Sequence, residues 1–263
     1  MKVRYAVAGL FALAIAPAAQ ATQVAGIQLN SGTFIADNGN NASVSYPGPA
    51  IDPHREGVST IDSVNGTVHV SGQSHPVATG AEDAIRVFTE ITTQLIYTGL
   101  PATLTFFAVL DGELFSDGGG FSNVDADLST LNDIVGSPAD SYAAQTPPGG
   151  GTVFVDEVLQ ISFDVLDGQT FRVFSSLSVR PDASCSLALE TCFVATADFA
   201  NSMTLFVDGV PDGGLLTNTN PDENFIYQTR IDDDGGSTDA SEPAMLGLLG
   251  LGLLGLAIGR RRG

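Results

Sequence analysis

The sequence predicts an all-β protein: an antiparallel β-sandwich of jelly-roll-like form with about ten to twelve strands. Three observations support this prediction. Asn-Gly and Asp-Gly pairs separate apolar, β-branched runs, apolar and polar residues alternate within those runs, and glycine and proline crowd the connections. The body of the chain, residues 22–231, is long enough to bury one core and is predicted to be a single domain.

The N-terminal segment, residues 1–21, has the three regions of a secretory signal peptide. Lys2 and Arg4 precede an apolar stretch, and the small residues Ala19 and Ala21 form the predicted cleavage site. The alternative is a permanent N-terminal membrane anchor. About twelve apolar residues rise only about 18 Å as a helix, however, against roughly 30 Å for the hydrocarbon core of a bilayer.

Four turn motifs predict β-hairpins along the body. A type I′ turn needs positive φ at both central residues, which Asn, Asp and Gly tolerate, and its twist matches that of paired antiparallel strands. The four pairs are Asn65-Gly66, Asp111-Gly112, Asp167-Gly168 and Asp208-Gly209.

Alternation with a period of two predicts which side chains of the strands face the core. This apolar set is Ile161, Phe163, Val165, Met203, Leu205 and Val207, whereas Ser162 and Asp164 are predicted to face water. Residues 125–136 differ, because Leu128, Leu131, Ile134 and Val135 have helical spacing. One short helix over a sheet edge is therefore predicted there.

Two cysteines, Cys185 and Cys192, are the only thiols in the chain. Because they are close in sequence and the chain carries an export signal, we expect them to form a disulfide. The alternatives are two reduced thiols in the core and an incomplete metal site, which lacks nearby histidines.

The chain is strongly acidic, with 30 Asp and Glu residues against 10 Lys and Arg and a formal net charge of −20. Half of the basic residues lie in the terminal segments, so the body is more acidic than the whole chain. Such a surface repels nucleic acid and anionic head groups, and it favours divalent cations or simply keeps the protein soluble.

Catalytic motifs are weak in the body. His54, His69 and His75 have no second histidine at metal-ligand spacing, and the Ser-His pair in "GQSHP" lacks the final glycine of a nucleophile elbow. A pair of carboxylates for glycoside hydrolysis stays possible, although the chain has no tryptophan to stack on a sugar. The candidate carboxylates are Glu82, Asp83, Glu90, Asp156 and Glu157.

Calcium is the one metal that the acidic loops suggest. Asp117, Asp125, Asp127 and Asp133 lie in a glycine-rich region, and loop oxygen atoms are the ligands that calcium uses. The spacing of an EF-hand is absent, so solvated loops are the competing interpretation. No other cofactor is predicted.

The C-terminal region is predicted to have two parts. Residues 232–240 form an acidic, glycine-rich linker, and residues 241–263 form a short apolar helix over 244–259 with an arginine tail at 260–262. Ser241 caps this helix, and Glu242 and Pro243 suit its first turn. About fourteen apolar residues rise about 21 Å, which is enough to enter a membrane but short for a stable span.

This tail, "SEPAMLGLLGLGLLGLAIGRRRG", resembles the PEP-CTERM sorting signal: a Pro-Glu-Pro core, a helix rich in leucine and glycine, and terminal arginines. Ser241 stands where the family has its first proline, whereas Glu242, Pro243 and Arg260, Arg261 and Arg262 keep the pattern. The alternative is a permanent tail anchor.

The resemblance implies a route through the cell. It implies export from a Gram-negative bacterium by the general secretory translocon, removal of the leader by signal peptidase, and transient anchoring in the inner membrane. An exosortase, a membrane-embedded protease, then recognises Glu242 and Pro243 and cleaves nearby, and the protein reaches the cell surface or the medium. Members of the family are linked to exopolysaccharide and biofilm matrix.

A second segment, "ADFAN" at residues 197–201, is similar to a motif found in the last strands of domains that carry this tail. Its residues predict a strand with Phe193, Ala195, Ala197 and Phe199 on one face. Asp198 and Asn201 are predicted to serve a turn.

Two classes of function follow. The first, which we adopt, is a non-catalytic surface or extracellular-matrix protein that binds exopolysaccharide or neighbouring proteins through loops and sheet edges. The alternative is a secreted, glycosidase-like hydrolase acting on matrix polysaccharide. A deep cleft with two carboxylates at glycosidase separation would indicate the hydrolase, and a shallow surface the binder.

Overall fold

A computed structural model describes residues 22–29, 33–46, 55–76, 82–131, 134–186, 191–219 and 225–229. The predictions for the signal peptide, the linker and the C-terminal helix lie outside these residues. Within the described residues, no helix is both long and apolar enough to cross a membrane.

The described residues form fifteen β-strands, which confirms the all-β prediction. The number exceeds the predicted ten to twelve because several strands are only two to five residues long. The strands are β1 Thr22–Leu29, β2 Phe34–Asn38, β3 Ser43–Tyr46, β4 Arg55–Asp62, β5 Thr67–Ser74, β6 Glu82–Thr98, β7 Ala102–Ser116, β8 Phe121–Thr130, β9 Ala139–Gln145, β10 Gly151–Val165, β11 Thr170–Ser186, β12 Thr191–Cys192, β13 Ala195–Asp208, β14 Leu215–Asn218 and β15 Gln228–Thr229.

Two sheets make the sandwich. Sheet A has the order β2-β1-β6-β11-β8-β9, with β12 paired to β11 and β14 paired to β6. Sheet B has the order β10-β7-β13-β5-β4-β3, with β15 paired to β13. Every pair is antiparallel except β13 with β15, which is parallel. The predicted antiparallel sandwich is therefore confirmed, with one short parallel pair added at its C-terminal end.

The inner faces of both sheets form one hydrophobic core. The alternation predicted from the sequence is correct here: Ile161, Phe163 and Val165 are buried, while Ser162 and Asp164 between them are exposed. Met203, Leu205 and Val207 are buried in the same way on β13. The buried residues recur at every second position, as expected for side chains on one face of a strand.

Only one of the four turn motifs closes a hairpin. Asn65-Gly66 joins the paired strands β4 and β5, and Gly66 has a φ of 63°. Asp62 stabilises the turn by accepting hydrogen bonds from the backbone N–H groups of Val64 and Asn65. The side-chain amide of Asn65 also donates to Asp62 and lowers the pKa of that carboxyl.

Two further motifs lie where the chain passes from one sheet to the other. Gly168 has a φ of 73°, but β10 before it belongs to sheet B and β11 after it to sheet A. The Asp208-Gly209 pair ends β13 in sheet B, and the chain then crosses to β14 in sheet A. The turn at Asp167-Gly168 was predictable, whereas the turn after β13 lies at Asp212-Gly213 and not at Asp208-Gly209. The partner of each strand depends on packing between distant segments.

The hairpin predicted at Asp111-Gly112 is wrong. Both residues lie inside the continuous strand β7, and Gly112 pairs with Val155 of β10. A Cβ atom at Gly112 would lie 2.4 Å from the ring of Phe199, which is fully buried. The glycine therefore makes room for an aromatic ring on the neighbouring strand and does not form a turn.

The helix predicted over residues 125–136 is also wrong. Residues up to Thr130 belong to β8, which pairs with β11 on one side and β9 on the other. Val124, Ala126 and Leu128 alternate into the core with the period of a strand. Val135, which a helix would have buried, is fully exposed. Pairing on both sides of β8 satisfies its backbone, so the sheet overrides the weak helical spacing.

The last described segment, residues 225–229, closes one end of the sandwich. The backbone N–H of Ile226 donates to Ser63 at 2.9 Å, and Phe225 and Tyr227 are buried. The ring of Tyr227 meets Phe106 edge-on, with 5.1 Å between the ring centroids. Burial raises the pKa of the Tyr227 hydroxyl well above its usual range.

This burial predicts a loss of stability in alkali. Because the folded state raises the pKa of Tyr227, its contribution is complete below about pH 10 and is lost as the pH rises further. We expect the free energy of unfolding to fall above that pH, by up to about 1.4 kcal/mol per pH unit from this group. Tyr227→Phe should make the fall shallower in urea titrations at a series of pH values.

Tyr142 provides the matched control for this prediction. Its pKa is also raised by burial and by Glu157, but it is only half-buried, so Tyr142→Phe should change the pH dependence less. Equal slopes for the Tyr227→Phe variant and the unmodified chain above pH 10 would contradict the assignment.

Candidate functional site

The two cysteines form a disulfide, as predicted. Cys185 on β11 and Cys192 on β12 are register partners, with 3.9 Å between their Cα atoms. The backbone N–H of Phe193 then donates to Ser184, and the ring of Phe193 packs onto Gly119. These contacts fix the chain immediately before it enters β13.

The aspartates proposed for calcium have separate structural environments. Asp117 follows β7 and accepts a hydrogen bond from the backbone N–H of Val194. Asp125 and Asp127 lie together on the outer face of β8. Burial raises the pKa of Asp125, and the charge of Arg86 opposes that shift. Asp133 lies outside the described residues.

Among the residues that the structure describes, no three Asp, Glu, His or Cys side chains are grouped to hold a metal. Calcium binding stays a prediction that these contacts do not support.

The catalytic candidates are not brought together either. Ser74 is the last residue of β5 and is fully buried, whereas the serine of a nucleophile elbow is exposed above its sheet. Residues 77–81, which follow His75 and Pro76, lie outside the described part. Glu90 lies on the outer face of sheet A, whereas Asp156 and Glu157 lie on β10 of sheet B. His54 and the side chains of Glu82 and Asp83 lie outside the described part.

An open groove of about 320 Å³ lies on the outer face of sheet B and is lined by residues other than the calcium and catalytic candidates. The residues that line it are register partners on β4, β5 and β13. The groove therefore runs across these strands, approximately at right angles to them. One ridge is Glu56, Gln73 and Thr196; the floor is Gly57, Gly72 and Ala197; the second ridge is Val58, Ser71 and Asp198. Residues two apart on a strand are separated by about 6.6–6.8 Å, which sets the distance between the ridges.

The floor of the groove is held from behind by sheet A. A Cβ atom at Gly57 would lie 2.8 Å from the side chains of Ile85 and Val87, and one at Gly72 would lie 3.1 Å from Pro181. The Ser59 hydroxyl also donates to the backbone carbonyl of Phe88 at 2.6 Å, which ties β4 to β6. The sheets approach closely here because these floor residues are small.

The ridges of the groove carry acidic and polar groups beside the exposed side chain of Val58. Glu56 and Asp198 lie on opposite ridges, and Asp198 is the register partner of Glu113 on β7. Ser71, Gln73 and Thr196 add hydroxyl and amide groups. Of the arginines that the structure describes, Arg86, Arg172 and Arg180 lie on sheet A, and Arg55 begins β4.

The "ADFAN" segment contributes to this site in a way that the sequence did not indicate. The predicted turn at Asp198 and Asn201 is wrong, because β13 continues from Ala195 to Asp208 with a bulge. Four residue steps from Phe199 to Met203 face only two on β5, from Val70 to Val68. Asp198 and Phe199 lie just before the bulge, where strand alternation places Asp198 on the groove and Phe199 against Gly112.

The remaining candidate is the C-terminal tail, which lies outside the described residues. Residues 239–262 match the PEP-CTERM protein-sorting motif. The chain carries a PEP-CTERM sorting signal. The match includes Ser241, Glu242 and Pro243 and the three arginines at 260–262, so the resemblance seen in the sequence is confirmed.

The PEP-CTERM signal establishes the fate of the protein in outline. The chain is exported, is anchored transiently in a membrane, and is processed at its C-terminal signal after recognition by an exosortase, which is a membrane protein. The roles of the individual residues in the signal stay predictions.

Two solved structures show a distant likeness to this chain. TmCBM61 in complex with β-1,4-galactotriose is 10% identical, with 63% of this chain and 87% of that chain covered and a TM-score of 0.18. A structure of the infectious bursal disease virus Gx strain is 11% identical, with 75% and 63% covered and a TM-score of 0.14. Neither likeness supports a statement about ligands. A comparison with curated proteins finds no match.

Proposed function

We propose that this exported protein is a non-catalytic surface or matrix protein of a Gram-negative bacterium that binds exopolysaccharide across the outer face of sheet B. Export uses the general secretory translocon and signal peptidase, and exosortase processing then places the sandwich in the biofilm matrix. The groove between the two ridges of β4, β5 and β13 is the observation that carries the proposal.

The groove offers what a sugar chain requires. Ser71, Gln73 and Thr196 can each donate or accept hydrogen bonds, and carboxylates accept them from sugar hydroxyls. The floor is small and fixed, so little ordering energy is spent when a chain lies in the groove. A linear polymer suits this shape because the groove is open and runs across the strands.

The same geometry favours binding over hydrolysis. The groove is an open depression and not a deep cleft, and cleavage of a glycoside requires an acid and a second carboxylate that flank the scissile bond. Glu56 and Asp198 lie on opposite ridges and are the two carboxylates that a glycosidase in this groove would use. The glycosidase alternative can therefore be tested directly. Release of reducing ends from a bound polysaccharide would overturn the non-catalytic assignment.

The charge of the groove predicts which polysaccharides bind. Glu56 and Asp198, with Glu113 beside Asp198, repel a polyanion, so neutral and amino-bearing glycans are the favoured ligands. Acidic polymers such as alginate are expected to bind weakly. The discrimination should shrink as salt is added, because exposed charges are screened.

The test is binding of the exported protein to immobilised chitosan, cellulose and alginate. We expect Gln73→Ala/Thr196→Ala to weaken binding to the preferred polymer by roughly tenfold, as the loss of two hydrogen bonds implies. Ser176→Ala, on the outer face of sheet A, is the matched control and should bind normally. Unchanged binding by the double variant, or no binding to any of these polymers, would refute the groove as the binding site.

A further inference from the structure

We infer that the groove continues beyond β13 onto β7 and β10, where Phe154 forms a stacking subsite for the same polysaccharide chain. This inference rests on the proposed function, since it assumes that a sugar chain occupies the groove. It adds a residue on the same outer face, at the β10 edge of sheet B, that determines how long a chain the protein recognises.

The register of sheet B places Phe154 in line with the groove. On the second ridge, Asp198 pairs with Glu113, and Glu113 pairs with Phe154. The first ridge continues in the same way through Phe115 to Thr152, and the floor continues through Leu114 to Val153. Both ridges and the floor therefore extend from β4 to the edge strand β10.

Phe154 is a largely exposed aromatic residue on the outer face of β10. Its side chain is 76% exposed, whereas Val155, the next residue, is buried in the core. Most outward positions of β10 are polar: Thr152, Asp156, Gln160, Ser162 and Asp164. Among the described side chains, the ring of Phe154 stacks on no other ring, since the aromatic pairs lie elsewhere.

A polysaccharide is the ligand that joins these features. The C–H face of a pyranose ring covers an exposed aromatic ring, while its hydroxyls reach carboxylates and amides along the ridges. Stacking of a sugar on an aromatic ring does not depend on a charge on the sugar. It is therefore compatible with a neutral or amino-bearing glycan in an acidic groove. Phe154 thus supplies the sugar-stacking surface in a chain that has no tryptophan.

The spacing of the strands predicts a dependence on chain length. The groove between β4 and β13 spans two strand intervals, or about 10 Å, whereas the distance from β4 to β10 is four intervals, or about 19 Å. A disaccharide therefore occupies only the groove near Gln73. A longer oligosaccharide reaches Phe154 and gains the stacking contact.

The experiment measures affinity against chain length with soluble β-linked oligosaccharides of glucose, N-acetylglucosamine and glucosamine, from disaccharide to octasaccharide. We expect the unmodified protein to bind the long members about tenfold more tightly than Phe154→Ala does, with equal affinities for the disaccharides. Val158→Ala is the matched control, because Val158 is also exposed on the outer face of β10 but lies off the ridge. It should keep the length dependence.

The outcomes separate this inference from the function on which it rests. If Phe154→Ala keeps the length dependence of the unmodified protein, or weakens all lengths equally, the subsite is wrong. In either case the proposed function stands as long as Gln73→Ala/Thr196→Ala still impairs binding. If no oligosaccharide or polymer binds to the unmodified protein, both are overturned. Equal melting temperatures for the Phe154→Ala and Val158→Ala variants exclude unfolding as the cause of a difference.

Discussion

Replacing Glu242 and Pro243 with alanine is expected to abolish C-terminal processing of the exported chain. The two residues lie at the start of the predicted apolar helix, within the PEP-CTERM match, where the exosortase would recognise its substrate. Proline fixes the backbone of the first helical turn, and glutamate is stabilised there by the helix dipole. Without them the protease loses the feature that distinguishes this peptide from the rest of the helix. The full-length protein should then accumulate in the membrane fraction with its arginine tail intact, as measured by intact mass.

Two further variants make this prediction specific. Ser241→Pro restores the first proline of the family pattern and should be processed at least as well as the unmodified chain. Replacing Arg260, Arg261 and Arg262 with glutamine should also impair processing, because cationic residues hold that end of the helix on the cytoplasmic side. Cleavage of the Glu242→Ala/Pro243→Ala variant at the unmodified rate and position would show that these residues do not direct the protease.

The tail could be predicted from the sequence because its information is local. Ser241, Glu242 and Pro243 precede an apolar run, and the arginines follow it, all within residues 241–263. The motif is contiguous, so it can be identified without knowing any contact with the rest of the chain. The disulfide was predictable for a similar reason, because only two cysteines are present and they are close in sequence.

The groove could not be predicted in this way. Its ridges combine residues of the β4–β5 hairpin, such as Glu56 and Gln73, with residues of the distant strand β13, such as Thr196. Each is an ordinary polar residue at an outward position of a strand. They become a site only through the register of β4, β5 and β13, and a shift of one residue would turn each of them to the other face. The small residues of the floor, Gly57 and Gly72, were the available clue.

The turn motifs also differ in whether local or long-range contacts decide their structure. Asn65-Gly66 closes a hairpin because Asp62 and Asn65 supply its hydrogen bonds locally. Asp111-Gly112 has the same composition but lies within β7, because the ring of Phe199 occupies the space above Gly112. A contact across 87 positions in sequence thus overrides a dipeptide preference. A glycine required for close packing cannot be told from a glycine required for positive φ by its neighbours alone.

Phe199→Ala is therefore expected to cause the largest loss of stability among single substitutions in the sandwich. Phe199 is fully buried, and its ring packs against the backbone of Gly112 beside the bulge of β13. Truncation of a buried phenylalanine costs about 3–5 kcal/mol, which corresponds to a fall of roughly 6–20 °C in melting temperature for a domain of this size. Phe206→Ala on the same strand is the matched control, because Phe206 is only half-buried on the outer face. Thermal unfolding followed by circular dichroism measures both.

A double-mutant cycle tests whether the contact between Phe199 and Gly112 contributes to this stability. Gly112→Ala alone should destabilise the protein, because the new Cβ atom would lie 2.4 Å from the Phe199 ring. Phe199→Leu alone should leave a smaller side chain and an unfilled space beside the glycine. In Phe199→Leu/Gly112→Ala the added methyl group fills part of that space, so the double variant should lose less stability than the two single losses added together. Strict additivity would mean that the ring and the glycine do not interact, and the continuation of β7 through Asp111-Gly112 would then need a different explanation.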